Sequence, residues 1–360
     1  TSTHTGDISL DADSYGAADT ATITIVDADL NTDSAGRDTY QNSTTTFQMT
    51  ITASGSTTAQ KPFDIDNFTL IETGDNTGVF VSSFAVPDFK GSDMELVYYD
   101  AKDAGGSAVE YYDTATVVSN SGSVSFDRSV YPVPWTAGEL RDGAGNASIN
   151  TESGDVTAWI TVSDADETND TLTTSSTYGA GAVLIKHTNS TGSSTIATAG
   201  SLVSFDATTG SIATELGPLS EVSLGSSEYE ISLTISETMG YADGTVTVQA
   251  GDVITVEYVD SADNAGGSST FYDSSTFDLR TGTLTVDKDV YVMGSDMVIT
   301  VTDPDLNLDS GTSEQYDLRL IEWDSSANSS VLLHNSYCTS GCTLDPSNLT
   351  ETGDNTGVFQ

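Results

Sequence analysis

The stretch Thr22-Ile-Thr-Ile-Val-Asp27-Ala-Asp29-Leu-Asn31-Thr-Asp33 joins a strand pattern to a cluster of carboxylates. It returns as Trp159-Ile-Thr-Val-Ser-Asp164-Ala-Asp166-Glu-Thr-Asn-Asp170 and as Val298-Ile-Thr-Val-Thr-Asp303-Pro-Asp305-Leu-Asn307-Leu-Asp309. In each copy, apolar and hydroxyl side chains alternate before the first aspartate, which is typical of a strand with one buried and one solvated face. All three copies keep Asp-x-Asp-x-x-x-Asp, so the stretch indicates an internal repeat.

Three other patterns recur around this stretch. An aspartate and a tyrosine four residues apart precede each copy, at Asp11/Tyr15, Asp127/Tyr131 and Asp287/Tyr291. The segment Glu72–Phe80 recurs identically as Glu351–Phe359, and a weaker version is expected at Ser236–Val246. A Tyr-x-Asp-x-x-Asp loop that runs into Gly-Gly closes the first two repeats and carries the carboxylates Asp100, Asp103, Asp260 and Asp263.

These patterns predict an all-β chain of tandem immunoglobulin-like β-sandwich domains. Thr and Val dominate the alternating runs, and Gly, Asn, Asp and Ser supply the turns between them. The expected repeats are residues 1–120, residues 121–280 with an insert, and a partial repeat at 281–360. Because the third repeat stops inside its Glu-Thr-Gly-Asp-Asn motif, with the closing loop missing, we expect the chain to continue beyond Gln360, or a neighbouring subunit to complete the repeat.

The charge of the chain restricts its partners. It carries 54 Asp and Glu against 10 Lys and Arg in 360 residues, a formal net charge of −44. Nucleic acid requires a basic face that replaces phosphate counterions, and an anionic membrane would repel this chain. The expected partners are cations, basic protein patches and hydroxyl-rich polymers such as glycans, and no apolar run reaches the ~20 residues that span a bilayer.

The repeated aspartates predict a calcium site. Residues two apart in a strand point to the same side, so the first two carboxylates of each motif are expected to converge and repel. A Ca²⁺ ion with six to eight oxygen ligands would offset that repulsion, whereas a solvated acidic loop is the alternative. The predicted ligands are Asp27, Asp29, Asn31, Asp33, Asp100, Asp103, Asp164, Asp166, Asp170, Asp260, Asp263, Asp303, Asp305, Asn307 and Asp309. Thr168 stands where the other repeats have Asn, so the second site is expected to be weaker.

The Glu72–Phe80 segment has two interpretations. Gly74 and Gly78 permit positive φ and Asp75-Asn76 favours a turn, which indicates a structural hairpin. Alternatively, Glu72 and Asp75 bind a cation. The structural interpretation is preferred.

Cysteine and sequon spacing indicate an extracellular chain. Cys338 and Cys342 are separated by Thr-Ser-Gly, which favours a small-loop disulfide over free thiols. Candidate N-glycosylation acceptors are Asn42, Asn67, Asn146, Asn169, Asn189, Asn328 and Asn348. The first residue, Thr1, fits a processed, mature N-terminus.

Catalysis is not expected. His4, His187 and His334 do not recur between repeats, and the sequence has no nucleophile elbow, phosphate loop or zinc motif. Paired acids occur in glycosidases, but acid pairs that recur in every repeat are more typical of a structural role.

The combination of Asp-x-Asp-Leu-Asn, Glu-Thr-Gly-Asp-Asn-Thr-Gly-Val-Phe and the Tyr-x-Asp-x-x-Asp loop resembles the tandem repeats of surface-layer (S-layer) proteins from ammonia-oxidising (thaumarchaeal) archaea. The resemblance covers nearly the whole chain. It implies an Ig-like domain string that assembles with copies of itself into a porous lattice on the cell surface, with bound Ca²⁺ and glycans. An adhesin or filament subunit built from the same sandwiches is the alternative.

Overall fold

The computed structural model describes residues 3–16, 19–41, 47–52, 59–60, 69–86, 89–143, 145, 153–167, 169–172, 183–200, 214–241, 244–326, 328–332 and 348–360. The chain forms two compact units. The first unit is Thr1–Gly122 with Asp164–Glu167 and Asp260–Ser269, and the second is Ser123–Ser163, Thr168–Val259 and Thr270–Gln360. The division into three repeats at residues 120 and 280 stays a prediction.

The first repeat forms two five-stranded sheets. Its strands are β1 (Asp7–Leu10), β2 (Ser14–Tyr15), β3 (Thr20–Val26), β4 (Thr39–Gln41), β5 (Phe47–Thr52), β6 (Ala59–Gln60), β7 (Thr69–Glu72), β8 (Val79–Ala85), β9 (Asp93–Asp100) and β10 (Val109–Val117). One sheet has the order β1-β3-β8-β7-β4 and the other β2-β10-β9-β5-β6. The alternation in β3 buries Ala21, Ile23 and Ile25 and turns the threonines outward. Apolar faces of both sheets therefore share one core, as in a β-sandwich.

The second repeat repeats this topology. Its strands are β11 (Ser123–Phe126), β12 (Val130–Pro132), β13 (Val156–Ser163), β14 (Thr171–Leu172), β15 (Val183–Asn189), β16 (Gly192–Ala199), β17 (Leu219–Glu221), β18 (Glu228–Ile235), β19 (Thr238–Tyr241), β20 (Gly244–Thr247), β21 (Val253–Asp260) and β22 (Ser269–Asp278). The sheets have the orders β11-β13-β18-β17-β14 and β12-β22-β21-β15-β16, and β19 pairs with β20 as an additional hairpin. The all-β sandwich prediction is confirmed.

The described residues between 283 and 359 form smaller sheets within the second unit. Their strands are β23 (Thr283–Val286), β24 (Ile299–Thr302), β25 (Gln315–Asp317), β26 (Glu322–Ser325), β27 (Asn328–Leu332), β28 (Asn348–Thr350) and β29 (Val358–Phe359). The sheet β23-β24-β29 corresponds to β1-β3-β8 of the first repeat. Leu284 is 56% exposed, whereas Ile8 at the matching position is 4% exposed, so this face of β23 lies outside the core.

The recurring Asp and Tyr pairs tie the first strand of each repeat to its neighbour. The tyrosine hydroxyl donates to the aspartate Oδ1 at 2.7 Å in Asp11/Tyr15, and at 2.5 Å in both Asp127/Tyr131 and Asp287/Tyr291. The same Oδ1 accepts a backbone N–H from Thr22, Trp159 and Val298, respectively. The spacing of four therefore serves a structural hydrogen bond, repeated three times.

Candidate functional site: aspartates that hold the entry segment of each repeat

The first aspartate of each repeated motif caps a turn. β3 ends at Val26, and the Asp27 side chain accepts a hydrogen bond from Asp29 N at 2.7 Å across a 3₁₀ turn at Ala28–Leu30. Asp303 caps Pro304–Leu306 in the same way, with Asp305 N at 3.0 Å. The extended backbone that we expected through the motif is therefore wrong, because a carboxylate that satisfies a free turn N–H favours the turn.

In the second repeat, Asp164 likewise accepts from Asp166 N at 3.0 Å. The first two aspartates of each motif are thus linked by a backbone hydrogen bond. A Ca²⁺ ion shared by the two carboxylates stays a prediction.

The second aspartate of each motif binds the residue that lies three positions before the first strand of its repeat. Each carboxylate uses both oxygens, one for the backbone N–H and one for the side chain of that residue. The pairs are Asp29 with His4 (2.8 and 2.8 Å), Asp166 with Asn120 (2.8 and 2.7 Å) and Asp305 with Arg280 (2.7 and 2.9 Å). Three different side chains have the same structural role, so comparison of the three repeats within the sequence did not identify these residues as partners of the aspartates.

The aspartates of the closing loop bind the same entry segment two residues further along the chain. Asp100 Oδ2 accepts from Gly6 N at 3.0 Å, and Asp260 Oδ2 accepts from Gly122 N at 2.9 Å. A Cβ on Gly6 would lie 2.3 Å from the Tyr98 ring, so only glycine fits this close approach. We call this arrangement the linker clasp. It comprises Asp29 and Asp100 on residues 4–6, Asp166 and Asp260 on residues 120–122, and Asp305 on Arg280.

Hydroxyl contacts extend the linker clasp. Thr5 Oγ1 accepts from Ala104 N at 3.4 Å, and Ser121 Oγ accepts from Asn264 N at 3.2 Å. Ser119 donates to the carbonyl of Asp263 at 2.6 Å. The sequence motif therefore positions both a carboxylate and a loop backbone against the entry segment.

Asp103 and Asp263 have a different role from the aspartates of the linker clasp. Asp103 Oδ1 accepts from Gly105 N at 2.8 Å and Ser107 N at 3.2 Å. Asp263 Oδ1 accepts from Ala265 N at 2.9 Å and Gly267 N at 3.2 Å. Each side chain therefore shapes its own Gly-Gly loop.

The asparagines of the first and third repeats join two motifs. Asn31 Nδ2 donates to Asn76 Oδ1 at 2.6 Å, and Asn307 Nδ2 donates to Asn355 Oδ1 at 2.8 Å. The partners belong to the Glu-Thr-Gly-Asp-Asn segments, so the two motifs occur together because they touch. Thr168, the expected substitute in the second repeat, lies outside the described residues.

The remaining predicted ligands also accept hydrogen bonds from the chain. Asp33 Oδ1 accepts from Ala35 N at 3.0 Å, and Asp309 Oδ1 accepts from Gly311 N and from Trp159 Nε1, both at 2.8 Å. The backbone carbonyl of Asp170 accepts from Glu221 N at 3.0 Å. Within the described ranges, no group of three or more His, Cys, Asp or Glu side chains is arranged to hold a metal ion. The calcium ligands stay a prediction.

The pKa values of these aspartates shift in opposite directions, depending on burial. Burial raises the pKa of Asp27, although hydrogen bonds from Tyr98 and Asp29 N act the other way. Burial likewise raises the pKa of Asp260 and Asp303. In contrast, the His4 contacts lower the pKa of Asp29. The inner carboxylates thus depend on their N–H and O–H donors to stay ionised.

The Glu-Thr-Gly-Asp-Asn segment is a hairpin around a buried glutamate. Glu72 Oε1 accepts from Thr77 N and Gly78 N, both at 2.8 Å, and Oε2 accepts from Asp38 N at 3.1 Å. Burial opposes the ionised form of Glu72, but these backbone donors outweigh it and lower its pKa. Glu351 repeats the arrangement with Thr356 N at 2.8 Å and Gly357 N at 2.7 Å.

The second repeat carries this hairpin at a different place from the one we expected. Glu221 Oε1 accepts from Ser227 N at 3.0 Å, and Val222 N donates to Glu228 O as Thr73 N donates to Val79 O. Ser227 has a φ of 54°, close to the 62° of Gly78. The prediction that Ser236–Val246 is a version of this segment is wrong. Those residues belong to the separate hairpin β19–β20, whereas the turn that corresponds to the first repeat joins β17 to β18.

The predicted disulfide and three of the predicted sequons fall outside the described residues. Cys338, Cys342, Asn42, Asn67 and Asn146 lie outside the described residues. The sequon residues within them are Asn169, Asn189, Asn328 at the start of β27, and Asn348, whose Nδ2 donates to Gln315 at 3.4 Å. Across the described chain, no helix is long and apolar enough to cross a membrane.

Comparison with known proteins yields low similarities only. No protein-family model matches the chain, and no curated protein does. A Salmonella α2-macroglobulin mutant is 13% identical over 84% of this chain and 19% of its own, with a TM-score of 0.25. The Escherichia coli adhesin FdeC is 14% identical over 85% and 75%, with a TM-score of 0.22. Domains 1–6 of the surface layer protein SbsC are 12% identical over 82% and 45%, with a TM-score of 0.18.

The chain spans only 19% of the length of the α2-macroglobulin chain that it matches. Likenesses this low leave the function to be argued from the residues of the chain itself.

Proposed function

We propose that this chain belongs to an extracellular structural protein of the cell surface, and that copies of it assemble into a porous S-layer lattice. The linker clasp carries the proposal. Only five residues, 118–122, separate β10 from β11, and carboxylates bind two of their N–H groups. A string of sandwiches with ordered junctions suits a protein that must keep its spacing under load. The proposal assigns the chain no catalytic role.

Cations enter the proposal through charge. A net charge of −44 opposes both compaction and the approach of a second copy. We propose that Ca²⁺ neutralises this charge at the acidic loops, where the carboxylates already accept hydrogen bonds from the chain. Millimolar divalent ions or high salt would then allow copies to meet.

An adhesin remains the alternative function, and one observation favours it. Tyr112 and Tyr272 are 54% and 61% exposed and stand at matching positions on β10 and β22. Exposed tyrosines are common where proteins bind ligands or other proteins.

Electron microscopy tests the proposal. The chain is purified in chelator, dialysed into millimolar Ca²⁺ at marine salt and imaged. We expect ordered sheets that dissolve again in chelator. Asp166→Ala is expected to reduce the order, whereas Asp75→Ala, which removes an exposed carboxylate outside the linker clasp, is expected to form sheets as the wild type does. Isolated rods or single filaments under every condition would contradict the lattice and favour the adhesin.

A further inference from the structure

A polar cavity of about 320 Å³ lies at the tip of β15 and β16 in the second unit. Asn189, at the end of β15, lies on one side, and Tyr241, Thr245 and Thr247 of the β19–β20 hairpin lie on the other. Hydroxyl and amide side chains dominate the lining. Pockets for small ligands typically measure ~300–1,000 Å³, so this one suits a single small polar molecule.

A buried histidine and aspartate line the cavity. His187 is 1% exposed, and its Nε2 lies 2.8 Å from Asp252 Oδ2, which also accepts from Gln249 N at 3.0 Å. When Nε2–H donates to the carboxylate, Nδ1 is an acceptor. Nδ1 makes no hydrogen bond to another described residue, so this acceptor is available to a ligand in the cavity.

The fold does not require this pair. In the sheet register, His187 lies opposite Ile254 as Ile51 lies opposite Met94 in the first repeat. Ser92 and Asp252 make the same turn. The backbone N–H of each donates to the carbonyl three residues earlier, and the carbonyl of each accepts from a residue of β10 or β22, respectively. The first repeat therefore has Ile and Ser where the second has His and Asp. A buried polar pair costs desolvation, so a pair that the sandwich does not need indicates a function.

The hairpin tip at the cavity is a sequon. Asn189, Ser190 and Thr191 all line the cavity, and Asn-x-Ser/Thr is the acceptor sequence for N-glycans. Asn189 Oδ1 accepts from Thr191 N at 2.9 Å and from Thr191 Oγ1 at 2.6 Å. These bonds fix the side chain through its oxygen and leave Nδ2, the atom to which a glycan is attached, for modification.

We propose that this cavity binds one neutral saccharide unit. Nδ1 of His187 accepts a sugar hydroxyl, Gln249 and the threonines bind further hydroxyls, and the ring of Tyr241 packs against the sugar. An acidic sugar is disfavoured by Asp252 and by the net charge of −44. The saccharide has two potential sources, a glycan attached to Asn189 of the same chain or a free saccharide.

The first test uses the full chain made without glycans. Methyl β-N-acetylglucosaminide and methyl α-mannoside are titrated and followed by saturation-transfer NMR and by the ¹⁵N shift of the His187 ring. We expect millimolar binding of at least one glycoside and a shift of Nδ1. The double variant His187→Ile with Asp252→Ser, which restores the residues of the first repeat, is expected to stay folded and to weaken binding at least tenfold.

Lys186→Gln is the matched control, because Lys186 neighbours His187 on β15 but pairs with Glu257 away from the cavity lining. It is expected to bind as the wild type does. Absence of binding and of a ring shift with both glycosides, or equal binding by the folded double variant, would overturn the proposal.

The second test separates the two sources. The chain is secreted from a host that attaches N-glycans, with Asn189→Gln for comparison and mass spectrometry to measure occupancy. If the attached glycan fills the cavity, the His187 shift occurs without added glycoside and the added glycoside no longer binds. If the added glycoside still binds to chains with a glycan on Asn189, the ligand is a free saccharide.

Discussion

At the scale of single residues, carboxylates in this chain act mainly as acceptors for backbone N–H groups. Asp27 and Asp29 belong to one motif but differ in environment, since burial raises the pKa of the first and His4 lowers that of the second. Glu72 is fully buried and still has a lowered pKa, because three backbone N–H groups converge on it. Hydrogen bonds from backbone N–H groups therefore give these acidic residues a structural role.

Close backbone approach at Gly78 gives a stability prediction. Gly78 has a φ of 62°, and a Cβ there would lie 3.0 Å from Ala28 Cα. Gly106 has a φ of 79° with nothing within 4 Å of a Cβ. We expect Gly106→Ala to cost about 1 kcal/mol in unfolding free energy and Gly78→Ala about 2–3 kcal/mol, because only the second adds a clash. Urea denaturation measures both, and equal losses would contradict the clash.

The third repeat contains a carboxylate pair that predicts pH dependence. Burial and the neighbouring Glu351 raise the pKa of Glu314 to about 7. Because the folded-state pKa exceeds the usual 4.5, the stabilisation is fully present below about pH 4.5 and is lost as the pH rises through about 7. The loss amounts to about 1–2 kcal/mol once solvent screening is considered.

Glu314→Gln is expected to remove this part of the pH dependence. Thermal unfolding of both proteins between pH 5 and pH 8 measures it, and the difference between them cancels the general effect of the net charge. The gap between their midpoints should widen toward pH 8 in favour of the variant. A constant gap across this range would show that Glu314 titrates normally.

At the scale of elements, each repeat fixes the segment that leads into it. Two carboxylates from different loops bind N–H groups two residues apart, on His4 and Gly6 or on Asn120 and Gly122. A linker satisfied in this way loses conformational freedom before its strand begins. The order of the junction therefore depends on side chains distant in the sequence.

Hydrogen exchange tests this element. Asp166→Ala removes both hydrogen bonds to Asn120, so we expect the Asn120 amide to exchange faster, by a local loss of about 1–2 kcal/mol in opening free energy. Amides in the centre of β13 should exchange as before, and Asp75→Ala should change neither. Unchanged protection of Asn120 in Asp166→Ala would show that the carboxylate does not hold the linker.

The alternation of apolar and hydroxyl side chains in β3, β13 and β24 is sufficient to predict the strands, their buried faces and a repeated sandwich. In a strand with one buried face, every second side chain lies in the core. Partners of the aspartates were not predictable in the same way. His4, Asn120 and Arg280 share only a backbone N–H and a side chain that carries nitrogen, and three different residue types do not form a recognisable sequence motif. The hairpin of the second repeat was missed because Ser227 adopts the positive φ that glycine has at Gly78.

At the scale of the whole molecule, the charge of −44 is the dominant property. Many of the described carboxylates accept hydrogen bonds from nearby residues, but these bonds leave the net charge unchanged. Self-repulsion must therefore be screened by the surrounding ions, whose Debye length is ~3 Å at 1 M ionic strength.

The ion response distinguishes screening from a caged calcium site. We expect the melting temperature to rise by several degrees in millimolar Ca²⁺, to rise nearly as much in Mg²⁺, and to rise also in molar NaCl. Differential scanning calorimetry after chelator treatment measures the three series. A saturable increase with Ca²⁺ alone would instead support the cages predicted at the repeated aspartates, because Mg²⁺ demands a stricter geometry.

The linker clasp also bears on resistance to proteolysis. Proteases cut most readily where an exposed connection between domains can be drawn into the enzyme as an extended strand. At residues 120–122 the backbone N–H groups of the first and last residue are bound to carboxylates, so the chain must first break those bonds. The junctions, normally the most vulnerable places in a multidomain chain, are therefore shielded by the same aspartates that order them.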